Sequence, residues 1–355
     1  MTAVDGIRLD GVGALAATVA AASSVAAVGA RTQWGVGGAP DPEAVEVSAP
    51  AGIVAYDPRD LTITVGAGTT ARELAARLAE HGQECPLDPR DPAATVGGLL
   101  SAGLSGHRRL RYGPLRDRVL EVRFVTADGR VVKAGGPTVK NVTGFDLPRL
   151  LVGSLGTLGV IVQVTLRCEP LADAACWYTT ALDPFVVRRR TFRPSTIAWD
   201  GHTTSVLLEG IDPDLVAEAS AADASPATAP PDFPTGEHRG RISARPATLG
   251  ALAAALEASG ARWLAEVGVG TVHVAADSEA GLERARAAAG SVGGWMLREA
   301  GAPSSSGFGC PTPNRVLMAR VRDAFDPEHK LGRGRLDELL RTQGGDHAAR
   351  EAARG

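Results

Sequence analysis

Three glycine-bearing segments in the N-terminal half have the residue types needed to hold an anion through the backbone. They are residues 29–34 (GARTQW), residues 92–106 (PAATVGGLLSAGLSG) and residues 139–161 (VKNVTGFDLPRLLVGSLGTLGVI). Small side chains let backbone N–H groups converge on an anionic group, which a dinucleotide supplies as its pyrophosphate. Any one segment could be a tight turn, but three segments beside predicted strands favour a dinucleotide site.

Two common nucleotide-binding patterns do not fit these segments. A Rossmann G-x-G-x-x-G follows the first strand, opens a helix and has an acidic residue about 20 positions later. Gly153, Gly156 and Gly159 have a different spacing and lead into a strand, and the pair Gly66 and Gly68 lacks a third glycine. The sequence also contains no Gly-Lys-Ser/Thr, so a P-loop is excluded.

The predicted elements around these segments form an α+β pattern. Between Leu9 and Ala30 the pattern of Leu15, Val19 and Ala22 predicts a helix ahead of a short strand, and a second helix is predicted over residues 71–80 with a capping box of Thr70 and Glu73. Short strands are predicted at residues 25–28, 44–47, 52–56, 61–65 and 158–166. The alternation over residues 119–134, with Asp128-Gly129 at its centre, predicts a hairpin.

The C-terminal half predicts a second domain. Residues 241–298 read as strand, helix, strand, strand, helix, strand, which is the ferredoxin-like order, although an unrelated α+β unit is the alternative. Residues 214–240 are rich in Ala, Ser and Pro without periodicity, so we expect a disordered or loop excursion there. An amphipathic helix is predicted over residues 313–325.

Composition limits the function classes. The 355 residues are 44% hydrophobic and 22% charged with a net charge of −3, which predicts a folded protein and no nucleic-acid role. No apolar run reaches the length of about 20 residues that a membrane span needs, so we expect a cytoplasmic protein. Cys85, Cys168, Cys176 and Cys310 are too scattered for an iron–sulfur or zinc site. We expect no catalytic metal.

Longer stretches resemble a known family. Residues 128–161 (DGRVVKAGGPTVKNVTGFDLPRLLVGSLGTLGVI) are similar to the corresponding stretch of glycolate oxidase FAD-binding subunits. Residues 94–120 (ATVGGLLSAGLSGHRRLRYGPLRDRVL) and 54–69 (VAYDPRDLTITVGAGT) resemble that subunit and the wider vanillyl-alcohol oxidase type, whose FAD module is named after p-cresol methylhydroxylase (PCMH). The resemblance covers residues 25–170, is weak in the second domain and is faint again at residues 325–336.

The resemblance implies a fold and domain limits. It implies an α+β chain with a two-subdomain PCMH-type FAD-binding domain at residues 1–172, divided into about 1–68 and 69–172. A smaller ferredoxin-like cap would follow at residues 173–310, with a C-terminal helix and tail at residues 311–355. The family's Asn-Pro-Gly-Arg becomes Gly332-Arg333-Gly334-Arg335, so the terminal segment could dock differently.

The resemblance also implies how FAD is held. Backbone N–H groups of residues 29–33 and 95–98 would bind the pyrophosphate, Gly103, Ser105 and Gly106 would line the flavin, and Gly156, Gly159, Val160 and Ile161 would lie near the adenine or ribose. Because residues 29–34 contain no His and no Cys precedes Tyr112-Gly113, we expect FAD to bind without a covalent bond. The full predicted set is Gly29, Ala30, Arg31, Thr32, Gln33, Trp34, Thr95, Val96, Gly97, Gly98, Gly103, Ser105, Gly106, Gly156, Gly159, Val160 and Ile161.

The implied activity is oxidation of a CH–OH group. A 2-hydroxy-acid dehydrogenase needs a base for the hydroxyl proton and a cation for the carboxylate. His107 and Arg109, in the basic cluster after the second glycine segment, are the predicted catalytic residues; a solvated basic rim or a subunit contact is the alternative. His273, in a predicted cap strand, is either a packed histidine or a base.

The family implies partners as well. The leading prediction is a glycolate-type oxidase or dehydrogenase subunit that acts on a small 2-hydroxy acid beside a second flavoprotein subunit and an iron–sulfur subunit. One alternative is an accessory FAD subunit without its own substrate chemistry. Another is a stand-alone flavin oxidoreductase that acts on a sugar or cell-wall precursor. The sequence does not identify the substrate, the electron acceptor or the stoichiometry.

Overall fold

The computed structural model describes residues 10–136, 145–302, 307 and 314–336. Residues 137–144, which carry part of the third glycine segment, and Cys310 lie outside this range. None of the helices in the described ranges is both long and apolar enough to cross a membrane.

The first subdomain is small. It consists of α1 (Asp10–Ala21), β1 (Val25–Ala27) and β2 (Val45–Val47), and the two strands pair in parallel. Val12, Leu15 and Val19 of α1 pack into one core with Val25 and Val47. The subdomain ends near residue 50, not near residue 68 as predicted, because the next two strands pair into a different sheet.

The second subdomain is built on a five-stranded antiparallel sheet. Its elements are β3 (Ile53–Asp57), β4 (Thr62–Gly66), α2 (Ala71–Ala79), β5 (Gln83–Glu84), α3 (Val96–Ala102), α4 (Arg109–Tyr112), β6 (Val119–Val125), β7 (Val131–Gly135), α5 (Leu147–Leu151), β8 (Val160–Arg167) and β9 (Glu169–Pro170). The strand order is β3-β4-β8-β6-β7, while β5 pairs with β9. The apolar faces of α2 and α3 pack against this sheet.

Local sequence signals explain several of these elements. Thr70 and Glu73 form the predicted capping box at the start of α2. Asp128-Gly129 lies in the β6–β7 turn, where Gly129 adopts a φ of 80° that suits glycine. These two predictions are confirmed, as is the α+β fold class.

The cap contains two consecutive copies of one motif. The first copy comprises β10 (Ala174–Thr180), α6 (Pro184–Arg190), β11 (Thr196–Trp199), β12 (Thr204–Gly210), α7 (Asp212–Ala221) and β13 (Ser225–Ala227). The second comprises β14 (His238–Ser243), α8 (Leu249–Ser259), β15 (Arg262–Glu266), β16 (Thr271–Ala276), α9 (Glu279–Ser291) and β17 (Trp295–Ala300). Their strands form one eight-stranded sheet in the order β13-β10-β12-β11-β15-β16-β14-β17.

Each copy has the ferredoxin-like strand order, and the copies join where β11 pairs with β15. The motif predicted over residues 241–298 is therefore present. The prediction of a disordered or loop excursion at 214–240 is wrong for its first part, which forms most of α7 and all of β13. β13 is an edge strand of three residues that contains Pro226, so it has none of the apolar alternation that identifies longer strands.

The two faces of the cap sheet differ in polarity. Val206, Leu208, Ile242, Val274 and Met296 pack with the helices in the main cap core. Side chains alternate along a strand, so their neighbours point to the opposite face. That face carries Glu209, Arg241, Glu266, His273 and Glu299, and its residues contact Arg90 and Arg108 of the N-terminal domain.

A partly buried ionic cluster joins the cap to the N-terminal domain. Arg108 donates hydrogen bonds to Glu84 (2.9 Å), to Asp88 (2.7 Å) and, across the interface, to Glu209 (2.9 Å). Burial opposes the charge of Arg108, but its hydrogen bonds to Glu84 and Asp88 outweigh this effect and raise its pKa. Burial raises the pKa of Glu209, but hydrogen bonds from Ser195 and Arg108 lower it by more. The pKa of Glu209 therefore lies below its ordinary value.

The C-terminal segment returns to the first subdomain. After α10 (Arg315–Phe325), Leu331 bridges Val25 beside β1. Arg335 donates hydrogen bonds to the carbonyl oxygens of Val36 (2.6 Å) and Trp34 (2.8 Å). The segment that departs from the family pattern therefore docks against the loop of the first glycine segment.

We expect Arg108→Met to destabilise the protein by about 3 kcal/mol, because it leaves three carboxylates of the interface without their shared cation. Arg130→Met is the matched control, since Arg130 forms an exposed pair with Asp128 and should cost less than about 1 kcal/mol. Urea denaturation of both variants measures the difference in free energy of unfolding. Equal losses in the two variants would contradict a stabilising role for this cluster.

Candidate functional site

One continuous cleft runs between the subdomains and under the cap, and it has three sections. The outer section is lined by Val47, Gly68, Gly97, Gly156, Val160 and Ile161, among others. The middle section is lined by Arg31, Trp34, Pro40, Ala102 and Arg335. The inner section, of about 220 Å³, is lined by Asp88, Arg90, Ser105, Gly106, Phe233, Arg239, Arg241, His273 and Glu299. Gly29, Thr95 and Gly98 line both the outer and middle sections, and Thr32 and Gln33 line both the middle and inner ones.

The middle section exposes a run of free backbone donors. The N–H groups of residues 29–33 donate to no acceptor among the described residues, whereas the flanking N–H groups of Val28 and Trp34 bond to the carbonyl oxygens of Val47 and Arg31. Arg31 has a φ of 57°, in the left-handed region. Successive N–H groups around such a residue form a concave anion site. The loop can therefore hold a phosphate group.

Side chains around this loop leave anion binding to the backbone. Arg31 donates a hydrogen bond of 2.6 Å to Glu46, and its guanidinium lies 4.5 Å from the centre of the Trp34 ring. The oxygen Oε1 of Gln33 is buried and has no partner in the described chain. It gives the cleft an acceptor at the junction of the middle and inner sections.

At residues 96–98 the second glycine segment forms a floor of the cleft and supplies no free donors. The N–H groups of Val96 and Gly97 donate to the carbonyl oxygens of Thr69 and Ala67, and that of Gly98 donates to the Thr95 hydroxyl. The expectation that residues 95–98 hold a pyrophosphate through the backbone is therefore corrected for residues 96–98, because the residues that pack α3 against the strand-to-helix turn take up these three donors. Thr95, Gly97 and Gly98 still line the cleft, whereas Val96 is fully buried.

The other predicted positions divide into lining and packing residues. Gly156 lines the outer section, where an added Cβ would meet only the Ala27 Cβ at 3.8 Å. Gly103 and Gly159 do not line the cleft; a Cβ on them would lie 2.8 Å from the Cα of Gly153 and 2.5 Å from the Phe124 ring, respectively. Packing explains those two glycines. Gly106 lines the inner section but also packs against the Asp88 carbonyl, which a Cβ would approach to 2.2 Å.

A polar chain forms one wall of the inner section. Arg90 donates hydrogen bonds to Glu299 (2.9 Å) and to Nδ1 of His273 (2.5 Å). Because Nδ1 accepts from a guanidinium, Nε2 carries the proton and donates to Oε1 of Glu266 at 3.1 Å. Both nitrogens of His273 are thus engaged.

Burial sets the charge state of this chain. It lowers the pKa of His273 to about 3, and the positive charge of Arg90 acts in the same direction. It raises the pKa of Glu266 to about 7, against the opposing effect of His107. At neutral pH His273 is uncharged, and Glu266 lies near the midpoint of its titration.

Arg241 is a buried cation of the inner section, and the carboxylates of Glu299 and Glu266 lie near it but beyond ion-pair distance. Its side chain is only 9% exposed, yet it makes no hydrogen bond or ion pair with any described residue. Burial lowers the pKa of its guanidinium. An unpaired buried charge is costly, so this arrangement favours an anionic ligand. A carboxylate has the matching planar geometry.

The predicted catalytic pair lies off this wall. His107 does not line the cavity: its ring stacks on Phe233, with centroids 4.4 Å apart, and its Nδ1 lies 3.7 Å from Glu266. Burial lowers the pKa of His107 and also that of Arg109, which likewise lines no part of the cleft. Their neighbours Arg108 and Arg111 bind Glu209 of the cap, so the basic cluster is mainly a contact between the two domains.

Sequence reasoning missed most of the inner wall. Arg241 and His273 alternate with the apolar Ile242, Val272 and Val274, and charged residues within such strands were a usable signal. Phe233 lies in a segment without periodicity and gave no signal. In the described parts of the chain, no three His, Cys, Asp or Glu side chains are placed to hold a metal ion.

Comparison with known families agrees with this geometry. The family described as "FAD binding domain" matches residues 8–135. This part of the chain is an FAD-binding domain. The cleft suits that cofactor, because it is elongated and has free backbone donors for a diphosphate at its middle and glycine at both the outer and middle sections. FAD as the cofactor is thereby established for this domain.

Several relatives are similar to part of this chain. The glycolate oxidase subunit GlcE of Escherichia coli is 40% identical over 135 residues, which cover 38% of this chain and 39% of that protein. D-lactate dehydrogenase of Archaeoglobus fulgidus is 45% identical over 105 residues, covering 30% and 24%. The glycolate oxidase subunit GlcD of Bacillus subtilis is 35% identical over 119 residues, covering 33% and 25%. The chain thus matches well under half the length of each of these relatives.

Solved structures extend the similarity to the cap. Alkyldihydroxyacetonephosphate synthase, in two crystal forms, aligns with 90% of this chain and 74% of its own, with a TM-score of 0.61. The sequence identity is 15% and 14%, so this similarity concerns the fold alone. Because it covers 90% of this chain, it extends beyond the N-terminal domain into the cap.

We expect Gly98→Leu to weaken FAD binding by at least about 100-fold, because the new side chain would enter the junction of the outer and middle sections. Gly98→Ala is the control, since its Cβ makes the same 3.0 Å contact with the Thr95 hydroxyl but fills little of the cleft. Titration of each apoprotein with FAD, followed by flavin fluorescence, gives the affinities. Wild-type affinity in a stable Gly98→Leu variant would place FAD elsewhere.

The pKa of Glu266 predicts a pH dependence of stability. Its folded value of about 7 lies above the ordinary value of 4.5, so protonation favours the folded state. This stabilisation is complete below the unfolded value and is lost as pH rises through 7. We therefore expect the free energy of unfolding of Glu266→Gln, relative to that of the wild type, to rise by roughly 3 kcal/mol from pH 5 to pH 8. Urea titrations of the FAD-saturated proteins, with the exposed Glu43→Gln as control, measure this; parallel pH curves would contradict the assignment.

Proposed function

We propose that the chain is the FAD-binding subunit of a 2-hydroxy-acid oxidase or dehydrogenase of the glycolate type. The single observation that carries this proposal is the buried guanidinium of Arg241, which lines the inner section and makes no hydrogen bond or ion pair with a described residue. The names of the relatives, which are glycolate oxidase subunits and a D-lactate dehydrogenase, support the same substrate class.

We assign FAD to the whole length of the cleft. The N–H groups of residues 29–33 would bind its diphosphate, and Gly156, Val160 and Ile161 would contact the adenosine in the outer section. Thr32, Gln33, Ser105 and Gly106 would lie beside the isoalloxazine ring in the inner section. The bound flavin supplies a hydride acceptor for the carbon that carries the substrate hydroxyl.

The chain's own residues would bind the substrate and move its proton. Arg241 would hold the carboxylate by two parallel hydrogen bonds and thereby fix the orientation of Cα. His273 would accept the hydroxyl proton at Nδ1, in place of the hydrogen bond that Arg90 donates there. Its Nε2 proton would pass to Oε1 of Glu266, whose pKa of about 7 suits an acceptor at neutral pH. The product is a 2-oxo acid.

A second candidate is an accessory FAD subunit without substrate chemistry of its own. The low pKa of His273 and the engagement of both its nitrogens favour this alternative, because a free base is then lacking. In that case the anion at Arg241 would be a ligand that is not oxidised.

The name of the Escherichia coli relative describes a subunit, and we extend the proposal to an assembly on that basis. Electrons would leave this chain for a second flavoprotein subunit and an iron–sulfur subunit. Cys85, Cys168 and Cys176, the cysteines in the described residues, are free thiols, so a cluster would belong to a partner. We place the assembly in the cytoplasm.

With glycolate or D-lactate as substrate, we expect Arg241→Met to lower the ratio of the flavin-reduction rate constant to the substrate Kd about 100-fold. The reason is that a buried carboxylate loses its charged partner. FAD affinity should stay within about 3-fold of the wild type. Arg245→Met is the control, since Arg245 follows β14 on the exposed surface and lines no part of the cleft. Anaerobic stopped-flow reduction of the chain, alone and with its partner subunits, gives these values.

Reduction only in the assembly would assign the chemistry to the complex. Reduction of the wild type in neither state would exclude a 2-hydroxy acid as substrate and leave the accessory role. Unchanged reduction of Arg241→Met would remove the carboxylate assignment.

A further inference from the structure

Phe233, which lines the inner section, lies on the segment between β13 and β14. This strap comprises residues 228–237 (TAPPDFPTGE). No backbone–backbone hydrogen bond between described residues involves it, and Arg262 holds its end by donating to the carbonyl oxygen of Thr235 at 3.1 and 2.9 Å. Three prolines restrict the backbone of the strap. The three proline rings and the hydrogen bonds from Arg262 therefore restrict the strap.

The Phe233 ring is packed by groups from both domains. It stacks on His107 at 4.4 Å between centroids and meets the His273 ring edge to face at 4.8 Å. The Arg90 guanidinium lies 4.2 Å from the ring centre, as in a cation–π contact. Contacts of this kind fix both the position and the tilt of the ring, so it forms a firm wall.

Unsatisfied polar groups lie behind this wall. Nδ1 of His107 and Oε2 of Glu266 are buried without a hydrogen-bond partner in the described chain, and Glu266 is only 2% exposed. Neither residue lines the inner section, whereas Phe233 and His273 do. Phe233 therefore contacts both His107, which lies outside the cavity, and His273, which lines it.

We propose that Phe233 is the residue that sets the upper size limit of the substrate. The inference rests on the proposed function of the inner section as a 2-hydroxy-acid site. With the carboxylate at Arg241 and the hydroxyl at His273, the remaining Cα substituent has only the volume that the walls leave. Phe233 is the largest apolar side chain in the lining, and its ring confines the site to acids with no side chain or a very short one.

The decisive comparison uses Phe233→Ala and Phe233→Leu, with the exposed Phe192→Ala of the same domain as the control. We expect the ratio of flavin-reduction rates for D-mandelate and glycolate to rise at least about 10-fold in Phe233→Ala, less in Phe233→Leu and not at all in Phe192→Ala. An unchanged ratio in both Phe233 variants would overturn the inference. Phe233→Leu keeps most of the apolar volume, so it covers the case in which Phe233→Ala does not fold.

A binding measurement separates this inference from the proposed function. Acetate and phenylacetate lack the hydroxyl and cannot be oxidised, so calorimetric titration of the FAD-loaded protein reports the size limit without turnover. We expect Phe233→Ala to bind phenylacetate about 10-fold more tightly than the wild type and acetate equally well. If the protein oxidises no 2-hydroxy acid but Phe233→Ala still binds phenylacetate more tightly than the wild type, the proposed chemistry is rejected and the inferred size limit stands. Equal phenylacetate binding in wild type and variant, or no binding of either acid, would overturn the size limit.

Discussion

Buried charge between the two domains is the constraint on which the rest of the structure depends. The polar face of the cap sheet cannot be left against the N-terminal domain without partners, because burial strongly disfavours isolated charges. Arg108 meets this requirement at one end by joining Glu84, Asp88 and Glu209. Arg90 meets it at the other end through Glu299 and His273. Between them His107 stacks on Phe233 of the cap, and the inner section lies beside these contacts.

This pattern of paired charges makes Arg241 an indicator of the ligand in the inner section. Its neighbours on the cap face have found partners, and Arg241 has none among the described residues although it is similarly buried. A protein that bound no anion here would gain stability from an apolar residue at this position. The unpaired guanidinium thus reports on the ligand in the same way as the free N–H groups of residues 29–33 report on the diphosphate.

The cleft is assembled from segments that are distant in sequence. The first glycine loop is held by Arg335, which lies 301 positions after Trp34 and binds its carbonyl oxygen. Burial lowers the pKa of Arg335 to about 10, so this residue stays protonated at neutral pH. The second ferredoxin-like copy of the cap supplies the inner wall, while the first copy supplies Glu209 for the contact between the domains. The two copies of the ferredoxin-like motif therefore have different roles.

The sequence by itself determined the local elements and the cofactor. The capping box of Thr70 and Glu73, the Asp128-Gly129 turn and the strand–helix order over residues 241–298 depend on neighbouring residues, which a linear pattern records. The glycine segments and their resemblance pointed to FAD for a similar reason, since backbone access to a diphosphate requires small residues in one continuous run.

Only the tertiary structure decided which residues face the ligand. Val96, Gly97 and Gly98 have the composition of an anion loop, but Thr69, Ala67 and Thr95 accept their hydrogen bonds. His107 and Arg109 follow the flavin segment in sequence, yet Phe233, more than a hundred positions later, separates His107 from the cavity. Whether a donor is free or a charge is unpaired depends on partners from remote strands, and no local pattern contains that information.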